Sequence, residues 1–106
     1  MALVKAIALL NEAIKINIES SNDKKSIEKL NNIYNNMKLE LKGLTKKDLD
    51  YLSKHIINSR QVSITNYSRG SIIANEELRK IEVYSNAISI VSEAYRYCVD
   101  DNQMQR

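Results

Sequence analysis

Few residues in this chain of 106 could take part in catalysis. Catalysis by a small domain requires titratable side chains that converge on one point. His55 is the only histidine and Cys98 the only cysteine, so neither a histidine-rich metal site nor a disulfide framework is possible. We therefore expect His55 to be a half-buried residue on a helix surface and Cys98 to behave as a small apolar residue.

The acidic residues occur in pairs whose spacing does not suit acid–base catalysis. Members of a pair lie one or two positions apart, so they project from different faces of a helix. The pairs are Asp48/Asp50, Glu76/Glu77 and Asp100/Asp101. The chain also has no glycine-rich phosphate loop and no Glu-X-X-His di-iron motif. These patterns predict a protein that is not an enzyme and that holds no cofactor and no metal.

A basic stretch offers a different chemistry, the recognition of nucleic acid. No acidic residue occurs from Tyr51 to Asn75, while Lys54, Arg60 and Arg69 supply positive charge among many hydroxyl and amide side chains. Such side chains contact phosphates and base edges well. The spacing does not fit a helix-turn-helix, because the turn would fall at 56–59, where there is no glycine. A DNA-binding regulator that uses segment 54–70 is therefore an alternative function.

The composition determines the class of fold that must carry these residues. The chain has no proline and only two glycines, whereas a β-sandwich or barrel needs a turn residue every 8–12 positions. Hydrophobic residues make up 43% of the chain, and isoleucine and leucine recur at helical spacing nearly throughout. We expect an all-α protein, a small antiparallel bundle of about four helices in a single domain over residues 1–106.

The apolar spacing also predicts where the helices lie. The first covers about 2–19, because its apolar residues recur at steps of three and four. The second covers about 24–42, with a cap within 20–23 and Gly43 as a left-handed residue at its end. Thr45 caps the third, over 46–69. The fourth covers about 72–99 and is followed by a frayed polar tail, 100–106.

The third helix is predicted to be irregular. Its apolar stripe begins with Leu49, Leu52 and Ile56, but the continuation falls on Arg60. An unpaired guanidinium in a core would cost several kcal/mol. Segment 61–65 also alternates like a strand and is rich in β-branched residues. We therefore expect a break near 58–62, with Arg60 and Tyr67 at or beyond the end of the bundle and accessible to a partner.

The strongest functional signal is a second apolar stripe on the first and fourth helices. On the fourth helix it consists of Val83, Ala87, Ile90, Ala94 and Tyr97, beside a core stripe that starts at Ile81. On the first helix it includes Leu9 and Ile16. A helix that is apolar on two sides is buried on two sides. Either these helices are central in the monomer, or the second stripes meet another chain; the second interpretation is preferred with only four helices.

These observations favour a small cytoplasmic protein that binds another protein, as an adaptor, an inhibitor or a subunit, or that pairs with a second copy of itself. The single cysteine suits a reducing cytosol, and no apolar stretch is long enough to span a membrane. The expected contact residues are Val83, Ile90, Tyr97, Leu9, Ile16, Arg60 and Tyr67. In length, basic isoelectric point and expected bundle the chain is also similar to bacteriocin-immunity proteins, without a shared motif, and this resemblance implies a second alternative.

Overall fold

The computed structural model describes residues 2–19, 23–70 and 72–104, of which 97 and 99–104 are described for their backbone alone. The described residues form four α-helices and no strand. The helices are α1 (Ala2–Glu19), α2 (Lys24–Leu41), α3 (Lys46–Ser68) and α4 (Ala74–Met104). The expected all-α bundle of about four helices is therefore confirmed.

Helix α4 is the helix against which the others pack. Consecutive helices form two hairpins, α1–α2 and α3–α4, and α4 also packs against both helices of the first hairpin. Asn17 of α1 donates a hydrogen bond from Nδ2 to the Arg79 carbonyl oxygen at 2.9 Å and another to Glu82 Oε2 at 3.1 Å. In contrast, α2 and α3 scarcely touch each other. One face of α4 therefore lies between two helices that do not close over it.

The two apolar stripes of α4 are both explained by this central position. The second stripe is the more deeply buried, with Val83 and Ala87 0% exposed and Ile90 8% exposed within the monomer. Ile81 and Ile88 of the first stripe are half-buried. The interpretation that the second stripe meets another chain is therefore wrong for Val83 and Ala87, because the chain's own helices cover both sides of α4.

Helix α3 is continuous, and the predicted break near 58–62 is wrong. Position 60 is not part of the buried stripe of α3. After Ile56, which is 0% exposed, the next buried residue of the helix is Ser63, which is 4% exposed. Ser59 is half-buried and hydrogen-bonded to the Tyr84 hydroxyl of α4. Small hydroxyl side chains thus line the α4 side of this half of α3. Arg60 is displaced to the flank of the interface, where it is half-buried.

The helix ends differ in two places from the sequence prediction. Gly43 does not adopt a left-handed conformation; α2 ends instead in a tight turn, in which the Gly43 N–H donates to the Glu40 carbonyl at 3.1 Å. Gly70, with φ of 71°, is the left-handed glycine, just after α3. Helix α4 also continues to Met104, since nothing in 100–104 is a helix breaker. The predicted frayed tail is therefore helical through Met104.

One carboxylate of α4 is buried. Glu77, in the first turns of α4, is 2% exposed, and its Oε2 has no hydrogen-bond partner. Its Oε1 lies 3.7 Å from Lys80 Nζ, and the Lys80 side chain is 30% exposed. Burial of a carboxylate without full hydrogen bonding opposes folding.

The small residues of α1 are expected to be sensitive to enlargement. Ala13 is 0% exposed, so the extra methyl groups of Ala13→Leu would have to displace neighbouring helices, at a cost of about 1–3 kcal/mol. The melting temperature measured by circular dichroism should fall by about 4–8 °C for each kcal/mol lost. Ala8 is exposed on the same helix, and Ala8→Leu should leave the melting temperature nearly unchanged. An equal effect of the two changes would contradict the assignment of Ala13 to the core.

Removal of the Glu77 charge is expected to stabilise the protein. Glu77→Gln keeps the shape of the side chain, and Lys80 stays hydrated without its partner, so the free energy of unfolding should rise by about 1 kcal/mol or more. Urea unfolding at neutral pH measures this change. Glu76→Gln, an exposed change in the same turn, is the control and should not stabilise. A loss of stability in Glu77→Gln would show that the carboxylate makes a favourable interaction in the folded chain.

Candidate functional site

A cavity of about 740 Å³ lies between α2 and α4, and we call it the α2–α4 groove. The second half of α2 forms one wall, the second half of α4 forms the floor and the opposite wall, and the first turn of α3 closes one end. Its apolar surface consists of Leu39, Leu41, Leu44, Ile90, Ala94 and Cys98. Its polar surface consists of Asn35, Lys38, Lys42, Thr45, Lys46, Lys47 and Glu93.

The floor of the groove is apolar because α4 presents small and apolar residues at a spacing of four. Ile90, Ala94 and Cys98 follow one another along one side of the helix, over about 12 Å. Ile90 is buried, while Ala94 and Cys98 are half-buried, so the short alanine side chain leaves space above it. Leu39 stands at the lip and is 63% exposed. The apolar surface open to a partner therefore comes from Leu39 and, in part, from Ala94 and Cys98, because Leu41, Leu44 and Ile90 are buried.

The rim of the groove is positively charged. Lys38 lies in the last turn of α2, and Lys42, the C-cap residue of that helix, follows one turn later. Lys46 and Lys47 lie in the first turn of α3, and Glu93 is the single acidic residue of the lining. The lining therefore has a net charge of +3 (four minus one). The whole chain, with 16 basic and 13 acidic residues, also has a net charge of +3. The remaining formal charges of the sequence sum to zero, so the lining of the groove has a net charge as large as that of the whole chain.

The position of these lysines is set by the turn between α2 and α3. Thr45 caps α3 as predicted, and its Oγ1 accepts a hydrogen bond from the Asp48 N–H at 3.2 Å. This cap fixes the first turn of α3, and with it Lys46 and Lys47, at the end of the groove. The C-terminus of α2 and the N-terminus of α3 meet at this turn, so their opposite dipoles offset each other. The lysine side chains therefore decide the sign of the local potential.

Two tyrosine hydroxyls tie the helices around the groove to α4. Tyr34 of α2 accepts a hydrogen bond from Asn86 Nδ2 at 3.3 Å, and burial raises the Tyr34 pKa. Tyr95 of α4 donates a hydrogen bond to Asp50 Oδ1 on α3. Burial, as the larger cause, and the hydrogen bond to the Asp50 carboxylate together raise the pKa of Tyr95 to about 12. These contacts hold α2 and α3 apart at fixed positions on α4.

The contact residues predicted from the apolar stripes are not brought together in one surface. Ile90 lies in the floor of the groove, whereas Val83 is part of the closed core. Leu9 and Ile16 are half-buried and line two separate clefts of about 340 and 510 Å³ along α1 and α2. The side chain of Tyr97 lies outside the described residues. Only Ile90 of this set therefore belongs to the groove.

The residues predicted on α3 also do not form one patch. Arg60 and Arg69 are nine positions apart, so they project about 180° apart around the helix, and Lys54 is about 120° from Arg60. Lys54 and Arg69 are exposed and Arg60 is half-buried. Tyr67 is 43% exposed on the second half of α3, away from the groove. Lys54, Arg60 and Arg69 therefore do not form one continuous basic surface.

Sequence reasoning missed the lysines of the groove, although a signal was present. Lys38, Lys42 and Lys46 recur at a spacing of four, with Lys47 beside the last of them. Because this spacing continues across the turn at Gly43, the lysines do not form a stripe on one helix. The spacing alone therefore does not predict that they share one surface.

Other kinds of site have no support in the part of the chain that the structure describes. No three histidine, cysteine, aspartate or glutamate residues among those described are grouped so that they could hold a metal ion. None of the described helices combines the length and the apolar character needed to cross a membrane. No protein-family model, curated protein or solved structure matches the chain.

The Tyr95–Asp50 contact is expected to make stability depend on alkaline pH. Because the Tyr95 pKa is raised from 10.0 to about 12 on folding, its stabilising contribution is complete below about pH 10 and is lost as the pH rises through about 12. The difference in the free energy of unfolding between the natural chain and Tyr95→Phe should therefore shrink over this interval. Urea unfolding followed by circular dichroism measures it. A difference that stays constant from about pH 8 to 12 would contradict this role of the hydroxyl.

Proposed function

We propose that this protein is a non-enzymatic interaction protein that binds a helical segment of a partner protein in the α2–α4 groove. The observation that carries the proposal is the partly exposed apolar floor of this groove, which no described residue covers completely. Monomeric proteins seldom leave apolar clefts of this kind without a ligand. The free thiol of Cys98 suits a protein of the reducing cytoplasm.

The dimensions of the groove support a helix as its occupant. The floor from Ile90 to Cys98 spans about 12 Å, which corresponds to about two turns of a helix. A helix that lies in a groove presents apolar side chains at positions i, i+3 or i+4, and i+7, which cover that same length. Such a helix would occupy the side of α4 that lies between α2 and α3. The partner would thus complete the packing that the chain leaves unfinished.

The chemistry of the lining supports binding rather than catalysis. Its titratable groups are four lysines, Glu93 and Cys98, and they are distributed along the rim and the floor. No acid and base converge there on a common point, as a catalytic centre would require. The DNA-binding alternative has weaker support, because its three cations project in different directions from α3.

Filling the groove is expected to abolish binding without unfolding the protein. The probe is a fluorescein-labelled peptide of about 14 residues, with leucine at helical spacing and glutamine at the other positions. Fluorescence anisotropy should show binding to the natural chain. Ala94→Trp, which places a large ring above the floor, should weaken that binding about tenfold or more.

A matched variant separates loss of the groove from loss of the fold. Ser92 is exposed on the same helix and does not line the groove, so Ser92→Trp should bind the peptide as the natural chain does. Circular dichroism should show the same helicity for both variants. Absence of binding by this peptide and by versions of it with charged polar positions, or equal binding to Ala94→Trp, would overturn the proposed function.

A further inference from the structure

We infer that the partner segment is an acidic amphipathic helix, whose carboxylates face the lysines of the α2–α4 groove. This inference rests on the proposed function, because it specifies the partner of the same groove. It is carried by the distribution of charge. The lining has a net charge of +3, as large as that of the whole chain, and therefore attracts a segment of opposite sign.

The lysines of the rim are available to a partner. All four are exposed, and among the residues that the structure describes none of them lies within ion-pair distance of a carboxylate. Lys38 and Lys42 lie one turn apart at the end of α2, and like charges at this spacing repel each other. Lys46 and Lys47 are neighbours in the first turn of α3. A partner that brings carboxylates to this rim relieves the repulsion in addition to forming new pairs.

The arrangement of the charges also predicts the orientation of acidic residues on the partner. Lys38 and Lys42 stand on the α2 wall, and Glu93 stands on the α4 wall. Carboxylates one turn apart should therefore face α2, while the side toward Glu93 should be neutral or basic. The apolar side of the partner helix should rest on Ala94 and Cys98. The groove thus favours a partner helix that is acidic on the flank facing α2 and not on the flank facing α4.

A series of three peptides tests the inference. The peptides share length and leucine positions, and their polar positions are glutamate, glutamine or lysine. Fluorescence anisotropy at low salt should show the glutamate peptide binding about tenfold more tightly than the glutamine peptide, and the lysine peptide binding most weakly. At about 1 M salt, where the Debye length is about 3 Å, the glutamate and glutamine peptides should bind about equally.

Charge reversal locates the effect on the rim. The double change Lys38→Glu and Lys42→Glu should remove the preference for the glutamate peptide or reverse it. Its control, Lys24→Glu with Lys25→Glu, alters the net charge equally at the other end of α2, where both lysines are exposed. That control should keep the preference. Cys98 gives a second readout, because the glutamate peptide should slow the reaction of this single thiol with a thiol reagent.

The possible results separate this inference from the proposed function. If the glutamine peptide binds as tightly as the glutamate peptide at low salt, the acidic partner is wrong and the proposed function stands. If no peptide binds, both fail. If the glutamate peptide binds Ala94→Trp or the Lys38→Glu, Lys42→Glu variant as tightly as the natural chain, the groove is not its site and the inference is overturned.

A membrane surface is the other occupant that the experiments can identify. In that case the natural chain sediments with phosphatidylserine vesicles, the charge-reversal variant does not, and the peptide does not protect Cys98.

Discussion

The burial of α4 on two sides is the constraint on which the rest of the structure depends. Within the described residues, each of the other helices is tied to α4 by a side-chain hydrogen bond, through Asn17 of α1, Tyr34 of α2 and Asp50 of α3. Because α2 and α3 are attached to α4 separately, neither needs to pack against the other. The groove is therefore a direct result of a central helix with three neighbours, and its lysine rim results from the turn that must cross the gap.

The helices could be predicted from the sequence because the forces that define them are local. The spacing of apolar residues gave the bounds of α1 as the structure has them, and the Thr45 cap follows from the preference of threonine for this position. The continuity of α3 could not be predicted in the same way. It depends on hydroxyl residues such as Ser63 taking buried positions against α4, which polarity alone argues against. Tertiary packing overrode the local β-branched pattern there.

The site was harder to predict than the fold. The spacing of apolar residues shows that a helix face is buried, but it does not show whether the same chain or another chain buries it. The stripe at Val83 and Ile90 has the same spacing whether its neighbour belongs to the same chain or to another, so only the structure distinguishes the two cases. The groove depends on the distance between α2 and α3, which no local pattern encodes. Its lysines come from two helices, and Lys42 and Lys46 become members of one surface only when the turn brings them together.

The central position of α4 has a consequence for the order in which the protein can fold during synthesis. The chain is made from its N-terminus, so α4 is the last of the four helices to leave the ribosome. Until then α3 lacks the helix against which it mainly packs, and α1 lacks one of its two main neighbours. The nascent chain therefore exposes apolar surface until α4 emerges, and during that interval chaperones can bind surface that the folded helices hide.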